Sequence, residues 1–361
     1  MAQVRSWCGL DVHARSVLAV TVDSASGEMR SRRLAGAISE VVAFCVALPG
    51  PTKVAYEAGP TGYGLARALQ AAGVGCVVAA PGKIERPAQD RVKTDQRDAE
   101  RVLRLLMIDG LHPVRVPSCE EEALRDLVRA REALRGDLMR ARQRLSKLLL
   151  RHDIVYEDTA SAWTTRHRAW LTRIDLGGGA QLTLLDYLHA IDALVIRRDA
   201  LQAAIGELVP ASPWGETVAR LRCLRGIDTL SAVGLCAEVG DFERFDRAGR
   251  LMSYLGLVPS ESSSGETRRQ GAITKTGSRH ARRLLVEAAW HYRKRPAIGT
   301  ALARRHAGQP AHVVAIAWQA QQRLHHVWRR LDGQRAKRRT IVAVAVAREL
   351  AGFCWALARA D

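Results

Sequence analysis

Four carboxylates in the first third of the chain have the order and spacing that a metal-dependent phosphodiester chemistry needs: Asp11 in CGLDVH, Glu57 in VAYEAGP, and Asp95 and Asp98 in KTDQRDA. Hard divalent cations take carboxylate oxygens, and two such ions about 4 Å apart activate an attacking oxygen and stabilise a leaving one. Singly, each acid has an ordinary explanation, as a turn residue after a strand or a favourable charge at a helix N-terminus. Their joint placement is what points to catalysis. A second group lies in Gly256–Gly265, GLVPSESSSG, where serines stand at 260, 262, 263 and 264. Taken alone this is a flexible loop, since serines before a glycine are common turn residues. It is followed, however, by Arg268, Arg269, Lys275, Arg279, Arg282 and Arg283, and guanidinium forks and ammonium groups bind phosphate well.

The elements that must carry these groups can be placed from periodicity. Apolar runs at Ser6–Val12, Val17–Val22 and Met29–Leu34, separated by His13–Arg15 and by the turn-rich Asp23–Glu28, predict a three-stranded meander with Asp11 near the end of its first strand. Helical spacing at Ser39–Leu48 is broken by Pro49, Gly50 and Pro51. A strand at Lys53–Glu57, a helix at Gly64–Ala72 and a strand at Val74–Ala79 follow. From Thr94 to Ile108 the pattern is helical with Thr94 as N-cap, which puts Asp95 and Asp98 on one face. Two strand-borne acids and a helix-borne pair are the layout of a ribonuclease-H-like α/β fold. Residues 118–151 form a long helix striped with leucines from Leu124 to Leu150, and Thr183–Val209 a second; the pair is expected as an antiparallel hairpin, a coiled coil between subunits, or part of an ordinary helical bundle. From Pro213 onward the chain is mainly helical with an interruption at Gly256–Gly277. The expected units are therefore 1–112, 113–212 and 213–361.

Composition narrows the partners. The net charge of +18 is uneven: residues 216–361 hold 26 Lys and Arg against 12 Asp and Glu, whereas 1–110 hold 14 against 11 and 111–215 hold 15 against 14. Only seven of the 55 basic residues are Lys, a bias that a GC-rich genome explains, but such a bias does not explain the asymmetry. A basic final segment fits nucleic acid, whose counterions it releases on binding. Seven cysteines with no C-x-x-C pair indicate neither a disulfide framework nor a cysteine zinc site. The first residues lack the order of a secretory leader, and Thr340–Ala358, the most apolar stretch, is interrupted by Arg348 and Glu349. A cytosolic, nucleoid-associated protein with no membrane partner is expected.

The motifs GLDVH, YEAGPTGYGL, KTDQRDA, GLVPSESSSGETRRQGAITKTG and RRLLVEAAW, taken in order over nearly the whole chain, resemble the transposases of bacterial insertion sequences that use a DEDD tetrad and a bridge RNA, relatives of the Piv-type DNA invertases. The resemblance implies that Asp11, Glu57, Asp95 and Asp98 are the tetrad of a RuvC-like domain holding magnesium or manganese. It also implies a coiled-coil middle and a C-terminal transposase domain. The serine before the glycine, Ser264 here, with Ser263 as the adjacent register, would be the nucleophile. A serine hydroxyl needs activation; no His-Asp partner pattern accompanies Ser264, which favours metal assistance over a hydrolase triad. Implied partners are double-stranded DNA as donor and target, a guide RNA, and further copies of the chain in a dimer or tetramer. The segment LRCLRGIDTLSAVGLCAEVGDFERF resembles the family's helix pair around a Pro-Gly-Ile-Gly turn, although Arg225-Gly226-Ile227-Asp228 stands at the turn.

Three other classes share part of this pattern. A sugar kinase or actin-like ATPase also opens with a strand, Gly-x-Asp and a hairpin, but no second phosphate-binding hairpin or adenosine motif follows. A RuvC-like metal-dependent nuclease without a covalent serine intermediate shares the acids, and the serine segment separates it from a recombinase. A non-catalytic nucleic-acid-binding protein has no need of all four acids.

Overall fold

The protein is described from a computed structural model that covers residues 3–85, 94–157, 162–264 and 267–360, with backbone alone at 264, 267 and 268. It forms two compact units, Met1–Ser118 and Cys119–Asp361.

In the N-terminal unit the alternating runs become β1 (Ser6–Val12), β2 (Ser16–Asp23) and β3 (Met29–Ala35), followed by α1 (Ile38–Val46), β4 (Thr52–Glu57), α2 (Gly64–Ala71), β5 (Gly75–Ala79) and α3 (Asp95–Met107). The sheet runs β3-β2-β1-β4-β5. The first three strands are antiparallel neighbours, and β4 and β5 join β1 in parallel. Because side chains alternate along a strand, the inner strands β1, β2 and β4 feed two cores, whereas the edge strand β3 buries only Leu34. Cys8, Leu10, Val54, Tyr56 and Val78 pack with Val41 and Cys45 of α1 and Leu65, Ala66 and Leu69 of α2. On the opposite face Val20 and Val22 meet Ala99 and Leu103 of α3, and Ala55 meets Val102 and Leu106. The result is a mixed sheet with helices on both faces, compatible with a ribonuclease-H-like fold. Its tightest contact is at Gly9, where a Cβ would fall 2.3 Å from the Ala99 carbonyl oxygen and 2.7 Å from the Leu103 nitrogen. Only glycine lets the backbone of α3 lie this close to β1.

The C-terminal unit opens with α4 (Cys119–Arg151), α5 (Thr165–Leu171) and α6 (Gly178–Leu208). The leucine stripe is the seam between the two long helices. Leu138, Leu145, Leu148 and Leu149 pack with Leu184, Leu188 and Ile191, while at the other end Leu124 and Val128 meet Ile205. Low numbers opposite high ones make the pair antiparallel within one chain.

The remaining helices are α7 (Gly215–Leu221), α8 (Thr229–Val239), α9 (Ala248–Tyr254), α10 (Arg279–Ala289), α11 (Thr300–His306), α12 (Ala311–Arg329) and α13 (Arg339–Ala358). Among the described residues α13 is the one helix long and apolar enough to cross a membrane; its Val342, Val346, Leu350, Cys354 and Leu357 lie inside this unit's main core, as a packed helix would place them. Between α7 and α8 the turn is set by Gly226 and Asp228. Gly226 has φ +84° and no room for a Cβ, which would sit 2.7 Å from the Ala288 carbonyl oxygen, and the Asp228 side chain caps α8 by accepting from the Ser231 nitrogen at 2.8 Å.

The segment expected as a flexible loop is instead an antiparallel hairpin, β6 (Pro259–Ser264) and β7 (Thr267–Ile273). Its strands SESSS and TRRQG carry no apolar alternation, so nothing in the hydrophobic pattern marks them as strands.

Candidate active site

Asp11 leaves the carboxyl end of β1 on the face covered by α3, two residues beyond Gly9. Glu57 ends β4 on the same face, two residues beyond Ala55, and the parallel register, with Leu10 opposite Tyr56, sets the two acids at neighbouring strand ends. The Thr94 hydroxyl accepts from the Arg97 nitrogen at 3.3 Å and starts α3. Asp95 is therefore the first helical residue and Asp98 sits one turn on, above the buried Val102. By backbone position the four acids thus stand where two parallel strands end and one helix begins, a place where helix and strand geometry leave polar groups to face a ligand.

Within this group the contacts are uneven. Asp11 Oδ2 is 3.0 Å from His13 Nε2, which is 3.9 Å from Asp95 Oδ1, and the three donors lie within 4.8 Å of one another. Asp95 Oδ2 accepts from Arg33 of β3 at 3.1 Å. Asp98, with a largely buried side chain, pairs with Arg101 at 3.1 Å. Glu57 and Asp98 lie outside the group formed by Asp11, His13 and Asp95. Two carboxylates and an imidazole at these separations are a donor set that suits a divalent cation. Sequence reasoning placed His13 only as part of a turn and did not consider Arg33. The signal for the histidine was its i, i+2 spacing from a strand-borne Asp, which returns a side chain to the same side. Arg33 carried no comparable signal, because its pairing with Asp95 spans 62 positions.

The second group occupies the hairpin of the C-terminal unit. Ser264 ends β6 opposite Thr267, and Ser263 stands opposite Arg268; the side chains of Ser264 and Arg268 lie outside the described residues. Arg269, Lys275 and Arg279 are exposed. Arg282 is turned inward, donating through one guanidinium nitrogen to the carbonyl oxygens of Leu255 at 3.1 Å, Gly277 at 3.3 Å and Thr276. Arg283 bonds Glu287 at 2.7 Å and Glu132 of α4 at 2.8 Å. The Arg283 bond to Glu132 ties α10 to α4, whereas the Arg282 bonds clamp the base of the hairpin. There Gly256 and Gly277 both have φ +66°, and a Cβ would fall 2.4 Å from the Thr276 nitrogen at the first and 2.1 Å from the Tyr254 carbonyl oxygen at the second. The two stems cross too closely for any side chain.

Beneath the hairpin base a charged cluster joins α4, α8 and α10. His280 lies 3.6 Å from Glu132 and 3.8 Å from Glu238, and Glu238 also pairs with Arg129 at 3.2 Å. Burial works against the Glu238 carboxylate, but His280, Arg129 and Ser278 overcome it and hold its pKa down at about 2.

A carboxylate group at the ends of parallel strands, in a chain whose residues 216–361 carry most of the basic excess, fits the class of enzymes that act on nucleic-acid phosphodiesters. A transposase family model of the DEDD, IS110 type matches residues 8–153, and the model described as Transposase IS116/IS110/IS902 family matches residues 218–305. A putative transposase, y4qE, of Sinorhizobium fredii is 43% identical over 304 residues, 84% of this chain and 74% of that protein. The transposase for insertion sequence element IS1533 of Leptospira borgpetersenii is 36% identical over 345 residues, 92% of this chain and 98% of its own length. The chain belongs to the IS110 family of insertion-sequence transposases.

Proposed function

We propose that this transposase cuts and rejoins DNA with Ser264 as its nucleophile and with Asp11, Glu57, Asp95 and Asp98 holding the divalent cations, magnesium or manganese. The observation that carries this reading is that Asp11 and Asp95 come to a common point, with Glu57 at the neighbouring strand end and Asp98 one turn further along α3. When bound, such ions lower the pKa of an attacking oxygen and neutralise charge on the phosphoryl group. The protein's own share is orientation: Thr94 and the first turn of α3 fix two acids, and the end of the parallel pair β1 and β4 fixes the others. Ser264 Oγ attacks phosphorus, its proton is lost, and the DNA oxygen that leaves takes up a proton and becomes a free hydroxyl. A hydroxyl of the second DNA strand then attacks the serine phosphodiester, regenerates Ser264 and restores the DNA bond without an external energy source.

Exposed Arg269, Lys275 and Arg279, with Arg268, are proposed to contact the phosphates near that serine, while Arg282 holds the hairpin base and Arg283 ties α10 to α4. The domain assignment proposed is a RuvC-like catalytic domain at 1–112, a helical region at 113–212 and a transposase domain at 213–361. The outer faces of α4 and α6, with Leu182, Leu185 and Ile196 exposed, are proposed to join copies of the chain in a coiled coil, since joining two duplexes needs at least two active sites. Guidance by a bridge RNA is proposed from the resemblance and from the basic excess of residues 216–361.

Alanine at Asp11, Glu57, Asp95 or Asp98 is expected to reduce recombination at least about a thousand-fold while nucleic-acid binding persists. Wild-type recombination by all four variants refutes the site. Ser264→Ala is expected to stop rejoining without preventing assembly on DNA; if that variant still cleaves DNA to free hydroxyl ends at the wild-type rate, the protein is a metal-dependent nuclease with no covalent step.

A further inference from the structure

We propose that His13 is a third ligand of the divalent ion held by Asp11 and Asp95, and that this nitrogen makes the site favour manganese over magnesium. The inference rests on the reading of the acids as metal ligands and goes beyond it by adding a residue that the tetrad does not contain.

The geometry carries the argument. Donor atoms about 2.1 Å from one octahedral ion are about 3.0 Å apart when adjacent and about 4.2 Å apart when opposite. His13 Nε2 is 3.0 Å from Asp11 Oδ2 and 3.9 Å from Asp95 Oδ1, so both separations fall in the range that one ion requires. The backbone explains why the imidazole is there. The His13 nitrogen donates to the Ser16 carbonyl oxygen at 3.0 Å, continuing the β1–β2 ladder one step past the strand, and a two-residue advance from Asp11 brings the next side chain back to the same side. Arg33 completes the arrangement. By taking Asp95 Oδ2 at 3.1 Å it leaves Oδ1 directed toward His13.

Metal selectivity follows from the donor set. Magnesium prefers an all-oxygen shell and gives up water reluctantly. First-row transition ions accept imidazole readily, and manganese, the hardest of them, also retains the carboxylates. A site with two carboxylate oxygens and one imidazole nitrogen therefore discriminates against magnesium in a way that four carboxylates do not.

Pulsed electron paramagnetic resonance of manganese bound to the full-length protein tests this directly, because a directly bonded imidazole imposes a nitrogen-14 modulation on the spin echo. The wild-type protein is expected to show that modulation. His13→Ala is expected to lose it and to bind manganese about ten-fold more weakly, with magnesium affinity changed less; His13 is more than half exposed, and an unchanged melting temperature of the variant confirms its fold. Asp11→Ala separates the two layers of the argument. A manganese site that depends on Asp11 but shows no nitrogen modulation, or whose modulation survives in His13→Ala, overturns the histidine ligand and leaves the acidic site standing. Manganese binding unaffected by Asp11→Ala overturns both.

Discussion

In the N-terminal unit the four acids proposed to bind metal ride on the ends of two buried parallel strands and on the first turn of a helix packed into the sheet, so each carboxylate inherits its position from a core. The serine hairpin of the C-terminal unit has no core of its own. From Ser260 to Ser263 and from Arg269 to Ala272 its described residues are exposed; it is held at its base, where Ile273 packs on the core, Gly256 and Gly277 let two stems cross and Arg282 bonds three main-chain carbonyls. The contrast teaches that a polar group can be positioned by hydrophobic packing or by a polar clamp, and that the two respond to different perturbations. Packing fails through volume. A clamp fails through loss of a hydrogen-bonding group.

The largest effect on that contrast is expected at Gly9. Valine there has its Cβ driven into the backbone of α3, so α3 must move off the sheet and take Asp95 and Asp98 with it. A loss of about 3 kcal/mol or more of stability in the N-terminal unit is expected, together with loss of the metal site, read by chemical denaturation and by manganese titration. Stability within about 0.5 kcal/mol of wild type would mean that close packing of α3 does not place the acids.

At the hairpin base, Arg282→Met keeps an unbranched apolar stem and removes the donors. With the guanidinium partly exposed, a stability loss of only about 1–2 kcal/mol is expected, but hydrogen exchange should quicken through β6 and β7 and recombination should fall much further than stability does. Unchanged exchange in the hairpin would remove the clamp from the account.

The smallest effect concerns Glu238, and it has a pH signature. A carboxylate whose folded pKa is about 2 against about 4.3 when unfolded contributes stability that is fully present above pH 4.3 and is lost as pH falls toward 2. Glu238→Gln is therefore expected to cost about 1–2 kcal/mol at neutral pH and to flatten the acid side of the stability profile. A variant profile parallel to that of the wild type between pH 5 and 2.5 would contradict the assignment.

Legibility differed between the two regions for the same physical reason that their supports differ. Where side chains alternate between two cores, as from Cys8 to Leu10 and from Val54 to Tyr56, periodicity located the strands, and the Thr94 cap with Asp95 and Asp98 located α3 within a residue. The leucine stripe of α4 announced a seam but not its partner, which packing alone decides. The hairpin was invisible because Ser260–Ser264 and Thr267–Gly271 bury nothing that a hydrophobic pattern records. Arg282 and Arg283, grouped in the sequence with phosphate-binding residues, are held by main-chain carbonyls and by Glu132 and Glu287; their charge was legible, their partners were not. His13 was missed because an Asp-x-His at a strand end resembles an ordinary turn until Asp95, 82 positions away, is placed beside it.

The central claim is that one enzyme uses metal-holding acids and a serine in the same reaction, and it is tested most directly by trapping the protein on its DNA, digesting the product and identifying the modified peptide by mass spectrometry. DNA attached to the peptide at Ser264, absent in both Ser264→Ala and Asp11→Ala, is the result the account predicts. A link at Ser263 moves the register by one residue and keeps the mechanism, whereas free hydroxyl ends with no adduct at any serine contradict it.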